Sequence, residues 1–334
     1  MVDLTLVWAA IIAVGVFMYV LMDGFDLGIG ILFPFAPDHA ARDDIMNSVA
    51  PIWDGNETWL VLGGAGLLAA FPLAYSVLLP ALYLPILFML VALIFRGVAF
   101  EFRFKAHRSR YLWDIAFTFG STLATFSQGV ILGAFIRGFE VEGTRYVGGP
   151  FDWLTPFSFA TGLGLVAGYG LIGASWIVMK TEDETQEWAY GAARILLVAV
   201  IVFVGVVSLW TPLTDPDIAA RWFDWPNILF LSPVPLLTAL LAWTLYRGIE
   251  NRREFTPFLC SLGLFALSYL GLAISLWPYV IPPSITIWEA ASDEGSQLFL
   301  LIGVLLVLPV ILTYTAITYW VFRGKVRSGS GGYH

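Results

Sequence analysis

The residues best suited to chemistry in this sequence are carboxylates set among apolar neighbours. Asp23 and Asp26, in Met22-Asp23-Gly24-Phe25-Asp26-Leu27-Gly28, are three apart, so a helix places both on one side. Asp54 and Glu57, in Pro51-Ile52-Trp53-Asp54-Gly55-Asn56-Glu57-Thr58-Trp59, open the next apolar run at the same depth. Arg96 and Glu101 close a third run there, and Asp114 starts a fourth. An ionisable group inside a bilayer is costly and is a functional-site hypothesis by default. Carboxylates partly removed from water can hold and pass protons near neutral pH. The chemistry this set could do is proton transfer, as an inlet on one face of a membrane.

Plainer roles compete at each position. Asp54 followed by Glu57 has the spacing of a helix-starting capping box. Asp23 and Asp26 could pair with Arg96 or bond a neighbouring helix, and Gly24 and Gly28 form a small-x-x-x-small packing face. Arg96 could be an interfacial snorkeller. The basic cluster from Arg103 to Arg110 reads as an orientation signal and not as a nucleic-acid patch.

The elements that position these groups follow from composition. The 334 residues are 59% hydrophobic and 13% charged, with mean hydropathy +0.81, against about 25% charged in soluble domains. Each crossing needs roughly 20 apolar residues. Apolar runs fall near 5–33, 55–71, 74–95, 112–136, 153–179, 189–210, 227–246, 256–278 and 297–322, which predicts nine helices in a single polytopic membrane domain. Phe71-Pro72 predicts a tight hairpin between the second and third. With the N-terminus outside, inward loops hold 14 of the 17 Lys and Arg, while Arg137, Arg145 and Arg221 face outward with Glu140, Glu142, Asp215, Asp217, Glu289, Asp293 and Glu294. The C-terminus is then cytoplasmic. The net charge of −8 is a consequence of this topology and not the mark of a basic partner. Tryptophans at span ends, among them Trp8, Trp53, Trp113, Trp153, Trp188, Trp225 and Trp277, fit an interfacial belt.

Several function classes drop out. The single cysteine, Cys260, supports neither a disulfide framework nor a thiolate metal site. No phosphate-cradling loop or nucleophile elbow is present, and Gly162-Leu163-Gly164 lies inside a span. The first run continues through Asp23 and Asp26 without a cleavage motif and reads as a retained span. His39, His107 and His334 all fall outside the spans, and Met18, Met22, Met89 and Met179 read as gap-filling side chains, so no haem ligation is assigned to this chain. The Ser-Gly-Ser-Gly-Gly run before Tyr333 and His334 carries no argument.

The two acidic segments together, followed in order by Phe95-Arg96-Gly97-Val98-Ala99-Phe100-Glu101-Phe102-Arg103 and Trp113-Asp114, closely resemble subunit II of cytochrome bd-type quinol oxidases, the cyanide-insensitive subclass included. The detailed likeness covers the first third of the chain, and the rest agrees in length, helix number and loop style. The resemblance implies two four-helix bundles, here 1–137 and 153–278, a peripheral helix over 297–322 and a cytoplasmic tail from 323 to 334. It implies a bacterial cytoplasmic membrane and a heterodimer with a larger subunit I, which binds two b haems and haem d and oxidises quinol near the outer face. Oxygen is reduced to water with protons drawn from the cytoplasm, so charge separates without pumping. Subunit II would stabilise subunit I and line a proton route along their interface. On that match Asp54 is the best proton carrier, with Trp53, Asp26 and Arg96 beside it and Asp23 and Glu57 in the same group. A structural quinone lies on subunit II in some relatives, with no contacting residues readable here except Arg96 as a candidate. A small third subunit stays open. Two rivals stand beside this reading: a secondary transporter, whose repeats and mid-membrane charges are not seen, and a purely structural membrane subunit.

Overall fold

The structure, a computed structural model, describes residues 3–326; Arg327, Tyr333, His334 and the Ser-Gly run lie outside the described residues. A chain this apolar can satisfy its backbone polar groups in lipid only within helices, and helices dominate: α1 (Leu4–Leu32), α2 (His39–Asn47), α3 (Trp53–Ala70), α4 (Pro72–Ala81), α5 (Tyr83–Arg103), α6 (Arg110–Arg137), α7 (Pro156–Lys180), α8 (Asp183–Thr214), α9 (Pro216–Phe223), α10 (Asn227–Leu231), α11 (Pro233–Glu250), α12 (Thr256–Leu276), α13 (Ile287–Ala290) and α14 (Glu294–Val321). Two small antiparallel hairpins, β1 (Val141–Glu142) with β2 (Arg145–Tyr146) and β3 (Tyr279–Ile281) with β4 (Ile285–Thr286), sit in connections. Starts are set by side-chain caps. Asp3 accepts from the Thr5 and Leu6 amides, Asp293 accepts from Ser296, and Thr155 with Ser158 makes a reciprocal capping box ahead of Pro156.

A helix lies at each of the nine apolar runs, and among the described residues eight helical segments are long and apolar enough to cross a membrane. The chain is a multi-pass membrane protein. The segment short of that measure is α3, which carries Asp54, Asn56 and Glu57 near its start. The expected hairpin at Phe71-Pro72 is replaced by a longer connection. Phe71 leaves the helical region, but Pro72 starts α4, and the chain breaks again at Leu82 before α5 begins. The run over 227–246 is likewise divided at Ser232-Pro233, and α9 precedes it in a stretch read as loop. Proline explains the starts of α4, α9 and α11, since it fits a first turn and supplies no amide.

Helices α1 and α3 run antiparallel, with Gly66 beside Ile12, Gly63 beside Val16 and Asn56 beside Met22. The packing face expected of Gly24 and Gly28 is present and turns to α7. A Cβ on Gly28 would stand 1.9 Å from the Tyr169 carbonyl oxygen, and one on Gly173 would stand 2.5 Å from the Gly28 carbonyl carbon. On α6, Gly120 admits α5 as closely: a Cβ there would lie 2.6 Å from the Ala92 carbonyl oxygen and 3.2 Å from the Arg96 Cβ.

One end of the molecule gathers the basic residues assigned to inward loops. Arg252 pairs with Glu187 at 2.7 Å, Lys325 with Glu254 at 2.6 Å, and Arg194 with Glu250. There too the Lys180 ammonium donates to the carbonyls of Phe322 at 2.5 Å and Gly324 at 2.8 Å, tying the end of α14 to α7. The other end carries the hairpins, and Asp3 accepts a bond from the Trp288 indole at 2.9 Å. Substituting Gly28→Ala forces α1 and α7 apart. Overpacking of this kind costs roughly 1–3 kcal/mol, and a lowered thermal midpoint of the detergent-purified protein is the expected result; an unchanged midpoint would contradict the close approach.

Candidate functional site

Near the basic end, α1, α3 and α5 converge on one guanidinium. Arg96 lies seven residues before the end of α5, roughly 10 Å of helix from Arg103, and it is wholly buried, as are Asp23 and Asp26. Its Nη2 faces Asp23 Oδ1 at 3.1 Å and Asp26 Oδ2 at 3.8 Å, and its Nη1 donates to Glu57 Oε1, whose side chain keeps 25% of its surface exposed. An isolated buried guanidinium would be prohibitive, and so would isolated buried carboxylates. Each therefore requires the other. The count is uneven, however: three carboxylates meet one cation, so full ionisation leaves a surplus of two negative charges. Proton binding to a carboxylate would neutralise part of that surplus, which is the chemistry this arrangement can do.

Polar side chains extend the cluster in two directions. Asn56 Nδ2 donates to Asp26 Oδ2 at 2.7 Å and to the Met22 carbonyl at 3.3 Å, while Asn56 Oδ1 accepts from the Tyr319 hydroxyl of α14 at 2.9 Å. On the other side, Tyr169 donates to Gln128 Oε1 at 3.0 Å and Gln128 Nε2 donates to the Tyr19 oxygen at 2.7 Å, one helical turn before Asp23. Trp53 and Phe100 stack at 4.8 Å between ring centres and wall the guanidinium, which lies 5.8 and 5.6 Å from the two rings.

A second ionic group lies closer to the end face. Arg103, also fully buried, donates to Asp43 at 2.7 Å and to Asp114 at 2.5 Å, under the ring of Phe33 at 4.9 Å; Arg110 shares Asp43, and Arg42 approaches Asp114 at 3.8 Å. The basic cluster is thus more than an orientation signal, because two of its arginines pin the short helix α2 to α5 and α6. Burial raises the Asp43 carboxyl, but the bonds from Arg110 and Arg103 outweigh it and hold the group below its usual range.

The structure separates the expected site residues. Asp23, Asp26, Glu57 and Arg96 come together, and Trp53 stands beside them. Asp54 does not join them: it is exposed on the first turn of α3, one turn from Glu57. The capping-box reading fails, because Ile52 is the N-cap without a side-chain bond and Glu57 turns to Arg96 instead of back to the helix start. Arg96 is no snorkeller. Glu101 is an exposed partner of Lys105 at 3.7 Å. Among the belt tryptophans, Trp8 is buried and donates to the Gln297 carbonyl at 3.0 Å. His39 begins α2 and His107 lies between α5 and α6. Among the described residues, no group of three or more His, Cys, Asp or Glu is arranged to hold a metal ion. Sequence reasoning missed Asn56, Tyr319, Tyr19, Gln128 and Tyr169. Asn56 stood inside the quoted motif, and Gln128 is an amide within an apolar run, so both had a signal; the tyrosines had none.

The chain as a whole resembles known proteins. Residues 4–322 match the sequence family described as cytochrome bd terminal oxidase subunit II. The chain belongs to that family. It is 27% identical to cytochrome bd-I ubiquinol oxidase subunit 2 of Escherichia coli (strain K12), over 97% of this chain and 95% of the relative. It is 28% identical to cytochrome bd ubiquinol oxidase subunit 2 of Bacillus subtilis (strain 168), over 97% and 96%. Its fold is similar to a chain of the bd oxidase structure from Geobacillus thermodenitrificans, with a TM-score of 0.77 at 18% identity over 96% of this chain and 98% of that one.

In this subunit II chain, Asp43 gives a pH dependence whose sign is fixed. A carboxyl held below its unfolded value of about 3.9 stabilises the fold above that pH, and the contribution disappears as pH falls through the lower folded value. Asp43→Asn removes it at every pH. Acid titration of the purified protein should therefore show a steeper stability loss below about pH 4 with Asp43 than with Asn; parallel curves would contradict the pairing.

Proposed function

We propose that this chain is the subunit of a bacterial quinol:oxygen oxidoreductase that holds no haem of its own, pairs with a haem-bearing subunit I in the cytoplasmic membrane, and provides a proton route from the cytoplasmic face. The observation that carries the proposal is the sharing of one buried guanidinium by three carboxylates near the basic end of the helices. Family membership supplies the context. In this reading the nine helical runs all cross the membrane, N-terminus outside, as two four-helix bundles and the peripheral α14. The inward bias of Lys and Arg supports that orientation. The two b haems and haem d belong to subunit I, where they carry electrons from quinol to oxygen.

This chain's residues handle protons. Asp54, exposed on the first turn of α3, takes a proton from the cytoplasmic side or from the subunit boundary. Glu57, one turn further and a quarter exposed, receives it beside Arg96. Asp26 and Asp23 hold it in the dry interior. Arg96 offsets the remaining charge and fixes the three carboxylates, and Trp53 with Phe100 keeps water from the guanidinium. The carboxylates lie toward one end of the spans and not at mid-membrane, which favours a one-sided inlet over a transporter's central site.

Two measurements test the proposal. In the intact complex, Asp26→Asn is expected to slow oxygen consumption by about 100-fold, the lower range for a positioned proton-transfer group, with haem spectrum and co-purifying subunit retained. A full rate would sink the cluster as a proton route, and the same result for Asp54→Asn would remove that residue alone and favour a purely structural role. For topology, a cysteine at Lys105 is expected to react with an impermeant reagent only from the cytoplasmic side; reaction from outside inverts the assignment.

A further inference from the structure

We infer that a crevice between α3 and α14 is a water inlet to Asp26, with Asn56 as its gate. The inference rests on the proton route proposed above and adds a second mouth to it, on the side of the peripheral helix. The crevice is lined by Pro51, Ile52, Gly55 and Asn56 from α3 and its approach, and by Thr315 and Tyr319 among the α14 residues. Asp54 does not line it. Its volume is about 20 Å³, and a water molecule needs roughly 10–15 Å³ measured in this way.

Three features argue that this space is wet. The last two turns of α14 line the crevice with Tyr314, Thr315, Thr318 and Tyr319, so with Asn56 opposite them the space has the polar lining that a held water needs. A Cβ on Gly55 would meet nothing within 4 Å, so α3 leaves room where α14 presents those hydroxyls. The inner wall is Asn56, only 1% exposed, which joins the Tyr319 hydroxyl to Asp26. One side chain therefore separates the crevice from a buried carboxylate.

An amide does not carry a proton at neutral pH, so Asn56 cannot act as a relay and must turn aside. When its Nδ2 leaves Asp26 Oδ2, a hydronium in the crevice transfers its proton to that oxygen and leaves a water molecule behind. Asp26 returns to the carboxylate as the proton moves on through the cluster. Tyr319 is a positioning residue, since its hydroxyl sets which way the amide faces.

The test uses the intact complex in inside-out vesicles with Cys260→Ser as background. Thr315→Cys is treated with a cationic, membrane-impermeant methanethiosulfonate, and modification of this chain is read by mass. Thr313→Cys, exposed on the same helix and outside the crevice lining, is the positional control, and the Cys260→Ser parent controls for cysteines elsewhere in the complex. The expected result is modification of Thr315→Cys but not of Thr313→Cys, a loss of oxygen consumption on modification, and its recovery on reduction with dithiothreitol while the haem spectrum stays constant. Absence of modification, or modification with no loss of rate, overturns the inlet. If Asp26→Asn is slow in the same assay, the carboxylate route survives that failure; if Asp26→Asn runs at full rate, the route itself fails and takes the inlet with it.

Discussion

The burial of Arg96 is the constraint on which this structure turns. A guanidinium cannot be deprotonated in practice and cannot be left unpaired in a dry interior. It must be met by carboxylates, and Asp23, Asp26 and Glu57 meet it from two other helices. Helices α1, α3 and α5 are thereby fixed in rotation as well as in contact. A small shift of any one would separate a buried charge from its partner at a cost of several kcal/mol, whereas apolar side chains in lipid would tolerate sliding, because lipid tails are as apolar as leucine.

The surrounding packing serves the same requirement. Gly120 brings α6 against the backbone of α5 at Arg96, and Gly28 with Gly173 brings α7 against α1 just beyond Asp26. These close approaches exclude water from the cluster on the sides where it is not wanted. On the remaining sides the walls are aromatic or amide: Trp53 and Phe100 over the guanidinium, Asn56 toward α14, and the Tyr19, Gln128 and Tyr169 chain toward the membrane interior. Gln128 is a poor conductor of protons for the same reason as Asn56. The interior branch therefore closes the cluster on that side with amide and tyrosine side chains.

The ionic groups at the end face have a different function. Arg103 and Arg110 share Asp43, and Lys180 caps the final turns of α14. They join helix ends that the apolar spans alone would leave free to rotate. Positive charge on this face sets orientation in a membrane and, once placed, is used again as structure.

The sequence by itself determined the class, the helical runs, the gathering of basic residues at one end and most members of the buried ionic cluster, because the cost of exposing backbone or charge to hydrocarbon acts on each segment separately. That cost is local, so it is legible in Asp23, Asp26, Glu57 and Arg96 one segment at a time. Tertiary structure decided what depends on rotation of one helix against another. It turned Glu57 from a helix cap into a partner of Arg96, left Asp54 on the surface and split the hairpin at Phe71-Pro72 with a further helix. It also brought Tyr319, from the far end of the chain, to Asn56 across 263 residues. Spacing along one helix fixes which side chains share a face, but only packing fixes what that face meets.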